Sequence, residues 1–517
     1  MTLKNHHVFS AAGCLLLSVV LCSVLHADAE SDIDSAKPRA TPSDQAPYQP
    51  TWDSLEKHDP APTWFRDDKF GIYFHWGIYS VPAFKTEWYP RAMHEKGSDV
   101  NKHHIETYGD PAEYGYERFV DQFKAENFNA EEWCDLFQKA GARFVGPVAE
   151  HHDGFAMWDS EWTPWNSVDR GPKRDITGEM EKAARSRDLK FVTTFHTARN
   201  NLWEKQPGQW SGHFEGAKKN YSKALLDSDR ALMYGYVSRP LFLKMWNGKL
   251  AEVIDRYSPD LIWFDTWLDE IPAENQREFL AHYLNHAAHS GQDVVVTYKQ
   301  EDLPQTVGVL DIEKGGLDTI TDFAWLTDDT ISMGSWCYTE QLTIKPTKVV
   351  LHSLVDIVSK NGQLILNVSP MADGTIPDNQ RRVLVEMGQW LENYGESIYS
   401  TRPFTIHGHG PTQPGEGHFG GKATDIAYTA KDVRYTQTKD GKVVYAIVLG
   451  DPKDNDKTLL TGFAKRHTDA VWQIQSVELL GSTAEIDFAL GDEGLTVSQS
   501  AGALDPMANV YKIKVKS

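Results

Sequence analysis

Residues Tyr257–Asp265 read YSPDLIWFD. Leu261, Ile262, Trp263 and Phe264 form an apolar run without polar alternation, the pattern of a strand covered on both faces. A helical stretch around residues 240–257 leads into it. The run then stops on Asp265, a carboxylate that is costly to bury unless its charge has a use.

The same unit recurs on either side. Apolar runs stand in KFGIYFHWG, ARFVGPVAE, LKFVTTFH, QDVVVTY, VGVLDI and QLILNV, with helical patterns between them. AEEWCDLFQKAG places Trp133, Leu136, Phe137 and Ala140 on one face and stops at Gly141. Asp175 is placed to cap the helix in DITGEMEKAARSRD. AENQREFLAHYLNHAA reads as a helix, and PTKVVLHSLVDIVSKNG as one ending on Asn-Gly. Apolar strands alternating with helices predict an α/β fold, a (β/α)8-like (TIM-type) barrel over residues 52–400. A doubly wound open sheet is the alternative, disfavoured because no Gly-rich phosphate loop follows the first strand. After STRPF (residues 400–404) helical periodicity disappears, and DVRYTQTKDGKVVYAIVLG alternates around Asp440-Gly441. Residues 401–517 are therefore expected to form a C-terminal antiparallel β-sandwich.

The first 29 residues read as an export signal: Lys4, an apolar stretch from Val8 to Leu25, and Ala27 and Ala29 at cleavage spacing. Export to the periplasm or the exterior is expected, without a stable membrane span. Residues 30–51 are polar and proline-rich, the composition of a disordered linker. Net charge is −21 with no Lys/Arg block, which excludes a nucleic-acid partner. Only Cys134 and Cys337 remain after the signal, too few for a disulfide framework. A homo-oligomer stays open.

In a parallel barrel the chemistry lies at the carboxyl ends of the strands. There the sequence places His75, Glu150-His151-His152, His196, Asp265, Lys299 and Glu313. Metal hydrolysis is disfavoured: adjacent His151 and His152 on a strand would point to opposite faces, and neither H-x-H nor H-E-x-x-H occurs. A serine nucleophile lacks its G-x-S-x-G elbow. A carboxylate pair among histidine, lysine and aromatic donors fits a glycosidase with no metal and no cofactor.

WFRDDKFGIYFHWGIYSVPAFKTEWYPRAM, HHDGFAMWDSEWTPWNSVDRGPKRDITGEM, YSPDLIWFD and SKNGQLILNVSPMADGTIP together resemble glycoside hydrolase family 29, the α-L-fucosidases. The resemblance runs from about Trp52 to Tyr399 and implies a retaining mechanism on fucosylated oligosaccharides or polysaccharides. It makes Asp265 the nucleophile. His75, Glu87, His151 and His152 would hold sugar hydroxyls, with Trp263 and Phe195 as aromatic contacts. Lys299 falls where some members carry arginine. Glu313 is the acid/base, with Glu301 and Asp328 as alternatives; Leu326 stands where several members have glutamate. Glu150 replaces a usual lysine, which would bring negative charge to the neighbouring imidazoles, and His196 is a local replacement ligand. The other readings are a catalytically silent carbohydrate-binding protein and a glycosidase for a related sugar such as α-L-galactose.

Overall fold

Eight parallel strands close into a barrel in sequence order: β1 Phe70–Phe74, β2 Phe144–Glu150, β3 Lys190–Phe195, β4 Leu261–Phe264, β5 Val295–Lys299, β6 Val309–Asp311, β7 Trp325–Thr330 and β8 Gly362–Val368. Pairing of β1 with β8, Phe70 opposite Leu364 through Phe74 opposite Val368, completes the ring. The computed structural model describes residues 46–201, 213–265, 268–419, 425–426, 428–450, 457–467, 472–498 and 504–516. The expected signal and linker residues 30–45 lie outside the described residues. Among the described residues no helix is long and apolar enough to cross a membrane.

Side chains alternate between the two faces of the barrel wall. Tyr73, Val148, Val192, Leu261, Trp263, Val295, Val309, Leu326 and Ile365 fill the interior. Ile72, Phe74, Phe191, Phe195, Ile262, Phe264, Val296 and Leu366 pack outward under the helices. Both sets are buried, which is why the strands read as unbroken apolar runs. Gly146 marks where β2 and β3 come closest: a Cβ there would stand 1.7 Å from the carbonyl oxygen of Val192.

The helix signals hold locally. Asn129 caps the helix Ala130–Lys139, and the chain leaves it through Gly141 at φ 93°. The Asp175 side chain accepts from the Gly178 N–H and caps Ile176–Arg185. Helices Arg239–Tyr257 and Ala273–Ser290 flank β4, and Thr347–Ser359 precedes β8. Cys134 and Cys337 are buried and make no disulfide.

Residues 46–51 correct the expected linker. The Tyr48 N–H and carbonyl pair with the Asn285 side chain at 2.9 and 2.7 Å, and Pro50 accepts from Arg277. Helix Ala273–Ser290 thus supplies the polar partners that this proline-rich segment lacks on its own.

Beyond residue 400 the strands are antiparallel. β9 Thr401–His409, β10 Val433–Thr438, β11 Val443–Val448, β13 Gln473–Leu479 and β16 Asn509–Lys516 form one sheet; β12 Lys457–Leu460, β14 Phe488–Gly491 and β15 Gly494–Ser498 form another. Val444, Ala446 and Val448 of β11 face the smaller sheet, whereas Tyr445 and Ile447 join the core of the barrel domain. The larger sheet is therefore buried on both sides. Arg434 of β10 reaches Asp356 of helix Thr347–Ser359 at 2.6 Å across the seam.

Gly146→Ala should lower stability by about 1–3 kcal/mol, because a methyl group must displace strand backbone rather than a mobile side chain. The urea midpoint measures it. An unchanged midpoint would mean the β2–β3 spacing yields freely.

Candidate active site

The carboxyl ends of the strands surround a cavity of about 470 Å³. His75, Glu87, His151, His152, His196, Trp263, Asp265, Lys299, Glu313 and Asp328 all line it. Trp263 and Asp265 are two residues apart, so they share the inner face while Phe264 turns outward.

Lys299 is the centre. Its Nζ lies 2.7 Å from Glu313, 3.3 Å from Asp265, 3.5 Å from Asp328 and 3.8 Å from Asp311. The ammonium also sits 4.8 Å from the centre of the Trp263 ring. Exposure separates the carboxylates. The side chains of Asp265 and Glu313 are 14% and 16% exposed, while those of Asp328 and Asp311 are 2% and 0%. A ligand in the cavity can reach the first two. Glu301 is exposed and not among the cavity residues.

Burial alone would raise the pKa of Asp265. The charge of Lys299 and hydrogen bonds from His152 and His196 outweigh it and hold Asp265 well below the usual carboxylate range. Its Oδ2 lies 3.1 Å from His152 Nε2 and 3.5 Å from His196 Nδ1. Glu313 goes the other way. Burial, aided by Asp328 and Asp265, prevails over Lys299 and raises Glu313 to about 7. Near neutral pH one accessible carboxyl is ionised and the other is poised to hold a proton.

The imidazoles of His75, His151 and His152 are donors and acceptors rather than charges. Burial pushes His75 and His151 well below the ordinary histidine value, and His152 down to about 4. Asn367 Oδ1 accepts from the His75 ring Nδ1–H at 2.8 Å, which leaves Nε2 as an acceptor. Glu87 accepts from Ser335 Oγ at 2.8 Å and from the Trp336 N–H at 3.1 Å.

Three sequence expectations need correction. His151 and His152 do share the cavity, with ring centroids 4.8 Å apart. β2 ends at Glu150, so strand alternation no longer governs them. Phe195 is not in the site: it lies on the outer face against Trp158 and Phe264. The alternation that brings His196 inward sends Phe195 out. Glu150 also turns away and pairs with Lys249, so its charge is spent outside the cavity.

Ring nitrogens of His75, His151 and His196 lie within 4.8 Å of one another, a spacing that could hold a metal ion. The same donors suit a ring of sugar hydroxyls.

Sequence reading missed Trp88, Arg199, Gln300, Trp336, His418 and Phe419, which also line the cavity. Trp88 was within reach, since it follows Glu87 in KTEWYP. His418 and Phe419 belong to the C-terminal region, and no local pattern ties them to a barrel mouth more than 100 residues earlier in the chain.

A barrel whose mouth holds two accessible carboxyls of opposite protonation tendency, among imidazoles and aromatic walls, has the build of a glycoside hydrolase. Comparison with known proteins narrows the class. An alpha-L-fucosidase family model matches residues 35–396, and a model of the alpha-L-fucosidase C-terminal domain matches residues 427–515. The tissue alpha-L-fucosidase of Rattus norvegicus is 30% identical over 481 residues, covering 90% of this chain and 92% of the relative. The plasma alpha-L-fucosidase of Homo sapiens is 30% identical, covering 87% and 88%. A crystal structure of Thermotoga maritima alpha-fucosidase in complex with fucose superposes with a TM-score of 0.70 at 27% identity, covering 90% of this chain and all of that one. The chain belongs to the α-L-fucosidase family, and its activity is that of an α-L-fucoside hydrolase.

Proposed function

We propose that the protein is a retaining α-L-fucosidase that releases terminal fucose from glycans through a covalent intermediate on Asp265. One observation carries this reading: Lys299 Nζ holds an oxygen of Asp265 at 3.3 Å and one of Glu313 at 2.7 Å. Oxygens tied to one nitrogen at those distances are at most about 6 Å apart. That spacing is compatible with the roughly 5–5.5 Å of retaining pairs.

The charge states support the assignment of roles. Asp265, ionised, attacks the anomeric carbon while Glu313 gives its proton to the departing glycosidic oxygen. Asp265 then carries the sugar as an ester. With the leaving group gone, Glu313 takes a proton from water; the hydroxide oxygen bonds the anomeric carbon, and the Asp265 carboxylate departs. His75, His151, His152, His196 and Glu87 bind hydroxyls, and Trp263 supports the ring. Asp328 shares the Lys299 charge but is too enclosed to meet a leaving group. A silent binding protein would have lost one carboxylate, and both stand in the cavity.

Export belongs to the same proposal, supported by the basic and apolar N-terminal segment and the alanines at 27 and 29. The mature protein recovered from cells should begin within a few residues after one of them. A full-length chain retained inside the cell would overturn this.

Inactivation with a 2-fluoro-fucosyl fluoride followed by peptide mass spectrometry should place the label on Asp265. Asp265→Ala should lose nearly all turnover and regain part of it with azide as a fucosyl azide; a label elsewhere refutes the nucleophile.

The pH profile has a stated sign. Glu313 acts only when protonated, so kcat/KM should fall as pH rises through about 7. Asp265 lies too low to set the acid limb above pH 5. Lys299→Met removes the cation that favours both ionised carboxylates, so turnover should drop and the basic limb should move to higher pH. A basic limb that stays put, or survives in Glu313→Gln, would assign it to another group.

A further inference from the structure

The C-terminal region enters the active site. Past Lys299, β5 turns away at Gln300, which has φ 56°. Glu313 keeps contact with β7 through its neighbours: the Ile312 and Lys314 N–H groups donate to the Leu326 and Asp328 carbonyls, each at 2.9 Å. The backbone groups of Glu313 itself face the other side. There residues 417–419, which follow β9, take the place that β5 has left. The Gly417 N–H donates to the Gly316 carbonyl and the Phe419 N–H to the Glu313 carbonyl, both at 2.8 Å. The Glu313 N–H donates to His418 Nδ1 at 3.0 Å. Gly315 permits the approach, because a Cβ there would stand 1.9 Å from the Gly417 carbonyl oxygen.

Phe419 ends this bridge in an unusual state. Its φ of 51° lies in the left-handed region, which a bulky residue adopts only when its surroundings impose it. The residue is 59% exposed and lines the cavity that holds Asp265 and Glu313. A ligand seated in the cavity can therefore contact this ring.

We propose that Phe419 is the platform on which the leaving-group sugar rests. The inference rests on Glu313 being the general acid, since the acid marks the side of the scissile bond from which the leaving group departs. Phe419 is joined to Glu313 backbone to backbone, which puts the residue on the Glu313 side of the cavity. A phenyl face offers dispersion and apolar contact to the C–H face of a pyranose. It offers no hydrogen bond to select a hydroxyl pattern. The substrates favoured are therefore glycans in which fucose is attached to another ring sugar, with tolerance for which sugar that is.

The test compares two leaving groups on the purified full chain. Wild type, Phe419→Ala, Phe419→Leu and Phe419→Tyr are assayed on α-L-fucosyl fluoride and on a fucosyl disaccharide with a pyranose leaving group. Phe419→Ala and Phe419→Leu should lose about tenfold in kcat/KM on the disaccharide, the value of roughly one aromatic contact. Their loss on the fluoride should be at least several-fold smaller, and Phe419→Tyr should recover most of the disaccharide rate. Equal losses on the two substrates, or no loss on the disaccharide, overturn the platform. Because leucine keeps bulk without a flat face, it decides the question even if the alanine variant misfolds. A wild-type protein inactive on the fluoride would instead overturn the fucosidase reading and the platform with it.

Discussion

A single ammonium group, that of Lys299, lies within 3.8 Å of four carboxyl groups inside the barrel mouth. One positive charge cannot neutralise four largely buried negative ones, so some of the carboxyls must keep protons. The structure sorts them. Asp311, completely enclosed and facing the charge of Asp328, is driven well above the carboxylate range. Glu313 is raised to about 7. Asp265, with Lys299 on one oxygen and two imidazoles near the other, stays ionised. In the proposed mechanism the nucleophile and the proton donor are thus two outcomes of one charge balance, decided by which carboxylate receives the better donors.

The same crowding explains what the sequence showed and what it hid. β4 was legible because LIWF is apolar on both faces and Asp265 interrupts it abruptly. β7 was not, because WLTDDT carries two carboxylates and resembles a loop. Both are buried: Asp328 faces inward to Lys299, and Asp329 faces outward to Lys345 at 2.7 Å. A strand can be polar on both faces when each charge meets a cation, and that partner cannot be read from neighbouring positions. Phe195 shows the precision required. A shift of one residue exchanges an outward-packing phenylalanine for His196, a cavity-facing imidazole.

The C-terminal strands were recognised by alternation, and the hairpin at Asp440-Gly441 formed as expected, with Gly441 at φ 68°. β11 reads VVYAIV, apolar at every position, and that pattern carried a message beyond hairpin formation. A sheet with one face in water would alternate. Here one face meets the second sheet and the other meets the helices of the barrel. Joined in this way to the barrel core, the C-terminal unit has a fixed orientation from which a segment can reach the active site.

That fixed orientation matters because of where Glu313, the proposed acid, stands. By the resemblance, several family members carry glutamate at the position of Leu326 in β7, where the ladder would position it. This chain has Leu326 there, pointing into the apolar barrel interior. Glu313 lies instead on the turn after β6, beyond the last residue that β5 pairs. A side chain on a strand inherits its position from the sheet, whereas one on a turn has to be held by something else. His418 and Phe419 supply that hold by taking the Glu313 N–H and carbonyl, the two backbone groups that β5 leaves unpaired. The position of Glu313 therefore depends on a segment that follows it by more than 100 residues in the chain, and the C-terminal region helps line the cavity.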